Sequence, residues 1–259
     1  MALADEFDGL LVDLDGVVWI GREMVPGSVD ALRSLLDAGV EIVFVTNNPG
    51  KPAAEYARRL GEVGVEVDAE RIVTAGEATA ELAKERGGTA FVIGAPAFRD
   101  TVAATGLRLL EGEDGREADI VLVSGHRGFD YEELLTATLA LQRGAALFAT
   151  SHDPTLPMPG GAWPGTGSIL AAVETASGAK ATIGGKPEPH LFEMARERIA
   201  AAKRVAMVGD RVSSDIEGGR RAGLETVLVL SGATSREEAN DADPAPDHVV
   251  EDLAALALR

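Results

Sequence analysis

Two aspartates separated by one residue, Asp13 and Asp15, directly follow a short apolar run at 10–12 near the start of the chain. Such a run is typical of a strand that is buried on both faces of a parallel sheet. Carboxylates at the end of a buried strand repel each other and are poorly solvated, so they require a cation or strong hydrogen-bond donors. An acidic surface turn explains the same residues, and this motif alone does not decide between the two.

Other polar residues also stand where an apolar run ends: Thr46 and Asn47, Lys186, and Asp210 with Asp215. The carboxyl ends of parallel strands lie along one edge of an open α/β sheet, and ligands bind at that edge. We therefore expect these residues to meet there, although Asp13 and Asp210 are 197 positions apart (210 minus 13). Simpler explanations exist for each group: a polar turn, a solvated lysine, and an acid at a helix start.

The acids in this set fit a metal-assisted reaction. Asp13 and Asp210, with Asp215 nearby, supply the hard oxygen ligands that Mg²⁺ prefers. A carboxylate can also be a nucleophile and form an aspartyl phosphate that water then hydrolyses. Asp15, two residues after Asp13, has the offset of a second carboxyl that protonates the leaving oxygen and later deprotonates water.

The remaining polar residues fit the binding of a phosphate group. Lys186 supplies a positive charge, and Thr46 and Asn47 can donate hydrogen bonds to phosphoryl oxygens. Transition states of phosphoryl transfer depend mostly on such charge neutralisation and on in-line positioning. The set as a whole therefore predicts phosphoryl transfer at the sheet edge.

The elements that must position these residues alternate between strands and helices. A helical pattern at 26–39, which Ser28 can cap, precedes a strand at 40–45, and this order is the strand–helix–strand unit of a parallel sheet. Further strands are predicted near 72 and at 90–93, 120–123, 146–149, 205–209 and 226–230, and further helices at 52–64, 97–106, 130–143 and 167–177. The pattern restarts between about 89 and 182, which indicates a second α/β unit of roughly 90 residues with its own core.

Two segments have weaker patterns. Residues 150–168 are rich in proline and glycine, and we interpret them as a loop with a substrate-facing role. The acidic tail at 234–259 is expected to close with an Ala/Leu-rich helix that serves in packing.

The composition narrows the classes of partner. The chain of 259 residues carries 42 acidic and 24 basic residues, a formal net charge of −18. This charge argues against binding to nucleic acid and to anionic membranes.

Self-repulsion of this size destabilises a compact fold at low ionic strength, whereas molar salt shortens the screening length to about 3 Å. The acid excess, the few aromatic residues and only five lysines predict a halophilic protein.

Cysteine is absent, which fits a reducing compartment and excludes disulfides and cysteine metal sites. The first residues are acidic where a secretion signal would be basic, and no apolar run reaches the length of a membrane span. We therefore expect a cytoplasmic protein without membrane partners.

The polar motifs, in their order along the chain, resemble those of the haloacid dehalogenase (HAD) superfamily, and more closely its 4-nitrophenylphosphatase/NagD-like branch of capped phosphatases. The matching segments lie at 13–17, 46–48, 185–187 and 209–215, and the similarity continues at 164–168 and 174–178. The resemblance implies an α/β fold. A Rossmann-like core with a parallel sheet would span 1–80 and 183–259, and a smaller α/β cap of the C2 type would be inserted at 81–182.

The same resemblance implies roles for the residues of the motifs. Asp13 would be the nucleophile and a metal ligand, and Asp15 the general acid and base, with its backbone carbonyl also on Mg²⁺. Asp210 would complete the metal ligands. The other implied roles are phosphate binding and support of the site: Thr46, Asn47 and Lys186 for the first, Asp215 for the second.

The implied reaction is Mg²⁺-dependent hydrolysis of small phosphomonoesters such as phosphoglycolate, sugar phosphates, nucleotides or 4-nitrophenyl phosphate. Four residues of the cap are candidates for contact with the leaving group: Arg127, His152, Asp153 and Trp163. The family often has Thr-Asn-Pro-Asp or Thr-Asn-His-Asp where residues 150–153 read Thr-Ser-His-Asp. Because Ser151 lacks the amide of that asparagine, the motif does not indicate which substrate is bound. The resemblance also suggests a homodimer formed through the cap.

Three alternatives stay open. A phosphotransferase or mutase on the same scaffold would pass the phosphoryl group to a sugar hydroxyl. A non-catalytic phosphate- or metal-binding protein would keep the fold without turnover. A receiver domain would need only about half this length and has no use for Asp15.

Overall fold

The computed structural model of the chain describes residues 2–158 and 161–257, in which strands and helices alternate. The strands are β1 (Gly9–Asp13), β2 (Trp19–Ile20), β3 (Glu23–Met24), β4 (Glu41–Thr46), β5 (Ile72–Thr74), β6 (Thr89–Ile93), β7 (Arg108–Leu109), β8 (Ile120–Val123), β9 (Ala146–Ala149), β10 (Thr155–Met158), β11 (Gly161–Pro164), β12 (Thr182–Ile183), β13 (Val205–Gly209), β14 (Glu225–Val229) and β15 (His248–Val250). The α-helices are α1 (Ser28–Asp37), α2 (Ala53–Glu62), α3 (Ala75–Lys84), α4 (Pro96–Ala104), α5 (Tyr131–Gln142), α6 (Thr166–Ser177), α7 (Pro189–Glu197), α8 (Glu217–Arg221), α9 (Arg236–Asn240) and α10 (Leu253–Ala257). Short 3-10 helices lie at Leu3–Glu6, Ala69–Arg71 and Gly112–Glu117, and a π-helix at Val212–Ile216. Among the helices of the described residues, none has both the length and the hydrophobicity needed to cross a bilayer.

The chain forms two compact units. The first comprises residues up to 46, 53–73 and 186–259, and the second comprises 47–52 and 74–185. The divisions expected from the sequence lie at 80/81 and 182/183 and would split helix α3, whereas the whole of α3 falls in the second unit. It does so because Ala80 and Ala83 belong to the same buried cluster as Ile120 and Leu122 of β8.

The first unit is organised around strand β1, the predicted strand at 10–12. Its sheet has the order β15-β14-β13-β1-β4-β5. Strand β1 pairs in parallel with β13 on one side and β4 on the other, with Val12 opposite Val208 and Phe44. Residues 10–12 are fully buried, as expected for a central parallel strand that is covered on both faces.

Helix α1 shows where the sequence prediction of a cap was wrong. Gly27, with φ of 77°, takes the N-cap position, and Ser28 is the first helical residue. The Ser28 hydroxyl donates instead to the carbonyl of Val18 at 3.0 Å. Glycine adopts positive φ without a steric penalty, so it can enter the helix from the preceding turn.

The second unit contains its own sheet, β12-β9-β8-β6-β7, in which every neighbouring pair is parallel. Buried apolar clusters cover this sheet, one around Val121 and Val123 and another around Ile120 and Leu122. The strands expected at 90–93, 120–123 and 146–149 and the helices expected at 97–106, 130–143 and 167–177 lie here within two residues of their predicted ends.

Several short strands were not predicted from the sequence, among them β10, β11 and β15. The predicted loop at 150–168 contains the antiparallel pair β10 and β11, with Thr155 opposite Pro164. Prolines lack a backbone donor, and they obscure the strand pattern, but they are tolerated at sheet edges. Strand β15 pairs with β14 at the edge of the first sheet. It was missed because it is three residues long and only partly buried.

Two isoleucines test the central role of the first sheet. Ile42 on β4 is 2% exposed, whereas Ile20 is 59% exposed. We expect Ile42→Ala to lower the free energy of unfolding by about 2–5 kcal/mol, because it deletes buried methyl groups and leaves a cavity. Ile20→Ala should stay within about 0.5 kcal/mol of the parent chain. Urea denaturation followed by circular dichroism measures both, and equal losses would contradict this account of the core.

Candidate active site

Lys186 connects two of the predicted acids. Its ammonium group lies 2.6 Å from Oδ1 of Asp13 and 2.6 Å from Oδ1 of Asp215. Asp13 is the last residue of β1, and Asp215 lies in the π-helix after β13, so neighbouring strands deliver both acids to one edge of the sheet. The side chains are 3%, 8% and 0% exposed for Lys186, Asp13 and Asp215. The ion pairs are therefore buried.

Asp210 follows β13 directly and is held by the segment after β14. Its Oδ2 accepts from the backbone of Ala233 at 2.7 Å, and its carbonyl accepts from the Thr234 hydroxyl at 2.6 Å. A side chain at Gly16 would overlap the Asp210 carboxylate, and Gly16 has φ of 91°. The glycine after Asp15 thus permits the loop from β1 to pass directly against Asp210.

The π-helix brings Asp215 back toward the end of β13. Its Oδ2 accepts from the backbone N–H of Arg211 at 2.9 Å, while its Oδ1 accepts from Lys186. A Cβ atom on Gly209 would overlap the Asp215 side chain. Asp215 therefore caps its own helical turn and orients Lys186 at the same time.

Burial dominates the electrostatics of the acids. It raises the pKa of Asp13 well above its usual range, an effect that Lys186 opposes and that Asp215 and Asp210 reinforce. Burial, with the neighbouring Asp215 charge, raises the pKa of Asp210 to about 6. Burial alone would lower the pKa of Lys186, but Asp13 and Asp215 outweigh it and leave that pKa raised.

The three acids have the geometry of a cation site. Asp13, Asp210 and Asp215 each offer an oxygen, and these oxygens lie within 4.8 Å of one another. With Lys186 they carry a formal charge of −2 (one positive minus three negative). The Oδ1 atom of Asp210 is buried and has no hydrogen-bond partner among the described residues. A hard divalent cation such as Mg²⁺ fits this donor set and this charge.

Thr46 is the last residue of β4, and Asn47 follows it directly. Asp13 pairs with Val45 in the sheet, so Thr46 extends one residue past the neighbour of Asp13, and it is 1% exposed. The Asn47 amide donates to Oδ2 of Asp153 at 3.3 Å, a contact within the second unit. Asp153, a predicted cap candidate, thereby contacts a predicted phosphate-binding residue.

Asp15 has surroundings unlike those of Asp13. It is exposed, and its Oδ1 accepts from the indole N–H of Trp19 at 3.0 Å. The sequence analysis missed Trp19. The signal was present as a tryptophan four residues after Asp15, since a buried indole N–H requires an acceptor nearby.

The other cap candidates are at the surface of the second unit. The guanidinium carbon of Arg127 lies 4.3 Å from the ring centre of Trp163, which is a cation–π contact. Trp163 is 38% exposed, and His152 is also exposed. These positions present polar and aromatic groups to solvent.

The chain is similar to known proteins along most of its length. A family model described as haloacid dehalogenase-like hydrolase matches residues 10–108, and a second, HAD-hydrolase-like, matches residues 183–256. Chronophin from Mus musculus is 38% identical over 267 residues, which cover 96% of this chain and 91% of chronophin.

Two solved structures are similar over nearly the whole chain. One is the glycerol phosphate phosphatase of Mycobacterium tuberculosis in complex with magnesium, with a TM-score of 0.91 and 35% identity, covering 99% of this chain and 78% of the other. The 4-nitrophenylphosphatase of Thermotoga maritima has a TM-score of 0.90 and 34% identity, covering 99% and 98%.

The raised pKa of Asp210 predicts a pH dependence of stability in the absence of metal. Between its ordinary value of 3.8 and about 6, the folded chain binds more protons than the unfolded chain, so stability falls as pH rises through this window. Asp210→Asn cannot ionise and removes this contribution. The stability of the variant minus that of the parent should therefore grow from about pH 4 to about pH 6 and level off above that.

Urea unfolding in EDTA across that pH range measures the difference. Asp30→Asn is the matched control, because it removes the same charge from a side chain that is 88% exposed. Parallel pH curves for Asp210→Asn and the parent chain would contradict the prediction.

Proposed function

Because the chain belongs to the haloacid dehalogenase-like hydrolases, as a phosphatase of their 4-nitrophenylphosphatase/NagD-like branch, we propose that Asp13 is the nucleophile of a Mg²⁺-dependent phosphomonoesterase. One observation carries the proposal: Asp13 lies at the end of the central strand, 2.6 Å from Lys186 and within 4.8 Å of Asp210 and Asp215. Few reactions other than phosphoryl transfer need a carboxylate, a fixed ammonium group and a metal-ion site at the same point.

In the first step, a carboxylate oxygen of Asp13 attacks the phosphorus atom. The bond from Asp13 to phosphorus forms, the bond from phosphorus to the leaving oxygen breaks, and Asp15 transfers its proton to that oxygen. The product is an aspartyl phosphate and a free alcohol. Lys186 favours the ionised, nucleophilic form of Asp13, whose burial would otherwise favour the neutral acid.

In the second step, water attacks the phosphorus atom of the aspartyl phosphate. Asp15 accepts a proton from this water, the bond between Asp13 and phosphorus breaks, and inorganic phosphate leaves. The exposure of Asp15 supports this role, because a group that exchanges protons with water must reach it. The cycle restores both aspartates to their starting forms.

The remaining residues bind charge. When bound, Mg²⁺ would neutralise phosphoryl oxygens as a Lewis acid, held by Asp13, Asp210 and the backbone carbonyl of Asp15. Asp215 supports the site by orienting Lys186. The phosphate itself would be held by three residues: Thr46, Asn47 and Lys186.

We assign catalysis to residues 1–80 and 183–259 and substrate specificity to the inserted residues 81–182. The candidates for specificity are Arg127, His152, Asp153 and Trp163. The names of the similar structures favour small substrates of the glycerol phosphate and 4-nitrophenyl phosphate type. The cytoplasmic location and the homodimer through the cap stay predictions.

The alternative reactions differ in what receives the phosphoryl group. A phosphotransferase or mutase would move it to a sugar hydroxyl, and a binding protein would not move it at all. Hydrolysis is favoured because the similar structures are those of phosphatases. Product analysis by phosphorus NMR, with sugar acceptors present, separates the three.

Removal of the nucleophile tests the proposal directly. We expect the parent chain to release phosphate from 4-nitrophenyl phosphate and from a panel of small phosphomonoesters when Mg²⁺ is present, and to stop when EDTA is added. Asp13→Asn should lose about 10³-fold or more in kcat, since an amide cannot form the intermediate, with an unchanged circular dichroism spectrum. Asp30→Asn, an exposed acid outside the site, is the control. Retained turnover in Asp13→Asn would refute the nucleophile, and no Mg²⁺-dependent release in the parent would favour the binding protein.

We also propose that the enzyme is adapted to high salt, on the basis of its net charge of −18. Screening removes self-repulsion of the folded chain, so the melting temperature should rise by several degrees between low salt and about 1 M KCl. Differential scanning fluorimetry measures this change in melting temperature. Equal rises in choline chloride would assign the effect to screening, and a flat or falling curve in KCl would remove the idea.

A further inference from the structure

The carboxylate of Asp15 accepts a hydrogen bond from a neutral donor four residues further along the chain. Asp15 is exposed, and an exposed aspartate on a loop samples several rotamers. The indole N–H of Trp19 lies 3.0 Å from its Oδ1, which selects one of them. The backbone closes the same loop, since the N–H of Gly16 donates to the carbonyl of Trp19 at 2.7 Å.

Trp19 is itself fixed on several sides. It is fully buried, and its ring stacks on Tyr56 with an interplanar angle of 7° and centres 6.3 Å apart. The guanidinium carbon of Arg59 lies 3.9 Å from the centre of the indole. Arg59 also donates to the carbonyl of Gly21 at 2.9 Å, in the turn between β2 and β3. Helix α2, which carries Tyr56 and Arg59, therefore holds the indole and its hairpin in place.

The indole has a single polar atom, and that atom points at Asp15. A buried N–H without an acceptor is costly, so this hydrogen bond ties the buried ring to the exposed carboxylate of Asp15. The pKa of Tyr56 on helix α2 is raised, mainly by burial and next by the negative charge of Asp15. The charge of Asp15 therefore acts on a residue of this helix. The contacts form a chain from helix α2 through Trp19 to Asp15.

We propose that Trp19 is a positioning residue that holds the Asp15 carboxylate in one orientation, and that Arg59 and Tyr56 fix Trp19 for this purpose. The inference rests on the proposed function, in which Asp15 is the general acid and base. Trp19 does not touch the reacting atoms in this account and acts only through Asp15.

This role predicts a dependence on the leaving group. An alkoxide such as that of glycerol 3-phosphate needs a proton as it leaves, whereas 4-nitrophenolate leaves without one. Trp19→Phe removes the donor and keeps an aromatic ring. It should lower kcat/KM for glycerol 3-phosphate about tenfold, with less than about threefold loss for 4-nitrophenyl phosphate. A general distortion of the site would lower both alike.

The second step provides an independent readout. Hydrolysis of the aspartyl phosphate needs Asp15 as base for either substrate, so Trp19→Phe should lower kcat for 4-nitrophenyl phosphate and produce a burst of nitrophenolate. In the Asp15→Ala background, Trp19→Phe should change kcat by less than about twofold, because residues that act as one unit are not additive. An additive loss would overturn the inference.

Arg59→Gln is a second variant that preserves the buried ring. We expect the same substrate-selective loss, about threefold, because the indole loses one of its restraints. Arg58→Gln is the matched control, since the adjacent Arg58 is exposed and pairs with Glu62. If Trp19→Phe does not fold, kinetics of Arg59→Gln equal to those of Arg58→Gln overturn the inference.

The outcomes separate this inference from the function on which it rests. An Asp15→Ala chain with both steps unchanged would remove Asp15 from the mechanism, and the proposed function would fail with it. If Asp15→Ala slows both steps while Trp19→Phe lowers kcat/KM equally for the two substrates, the proposed function stands and the role of Trp19 is refuted.

Discussion

A buried lysine between two buried carboxylates is the interaction on which the site depends. Lys186 contacts Asp13 and Asp215 at 2.6 Å each, in a place where all three side chains are nearly inaccessible. Burial of charge is costly unless the charges are paired. Here the pairing is incomplete, because Asp210 adds a further negative charge and one of its oxygens has no partner among the described residues. The fold thus holds an excess of negative charge that a bound cation can neutralise, which links the stability of this edge to what it binds.

The parallel sheet makes this concentration of charge feasible. Strands β4, β1 and β13 are neighbours, so residues far apart in sequence leave the sheet side by side. Glycines then let the chain segments approach closely: a side chain at Gly16 would overlap Asp210, and one at Gly209 would overlap Asp215. The small residues next to the acids are therefore part of the site, because they determine how near the carboxylates can be.

The sequence was most informative where one requirement dominated. Continuous apolar runs predicted the central strands, because a parallel sheet leaves few other arrangements. The polar residues at the strand ends predicted a meeting that the structure shows for Asp13, Lys186, Asp210 and Asp215. Competing local effects were harder to anticipate. Ser28 has the chemistry of a cap, but Gly27 takes that position and Ser28 bonds to Val18. The prolines around β10 and β11 obscured the sequence pattern of this antiparallel strand pair. Trp19 stands only four residues after Asp15, but it was missed because its contacts with Tyr56 and Arg59 form only in the tertiary structure.

The two aspartates of the first motif illustrate how neighbouring residues of one type acquire different chemistry. Asp13 is buried and faces the Lys186 ammonium group, which favours the ionised form that a nucleophile requires and opposes the rise in pKa that burial causes. Asp15 is exposed, and its Oδ1 accepts a hydrogen bond from the neutral indole N–H of Trp19. A group that must gain and lose a proton in each cycle would be hindered by a lysine at 2.6 Å, because the lysine would oppose protonation. The environments of the two carboxylates therefore match the two roles that we propose for them, and exchanging those environments would impair both.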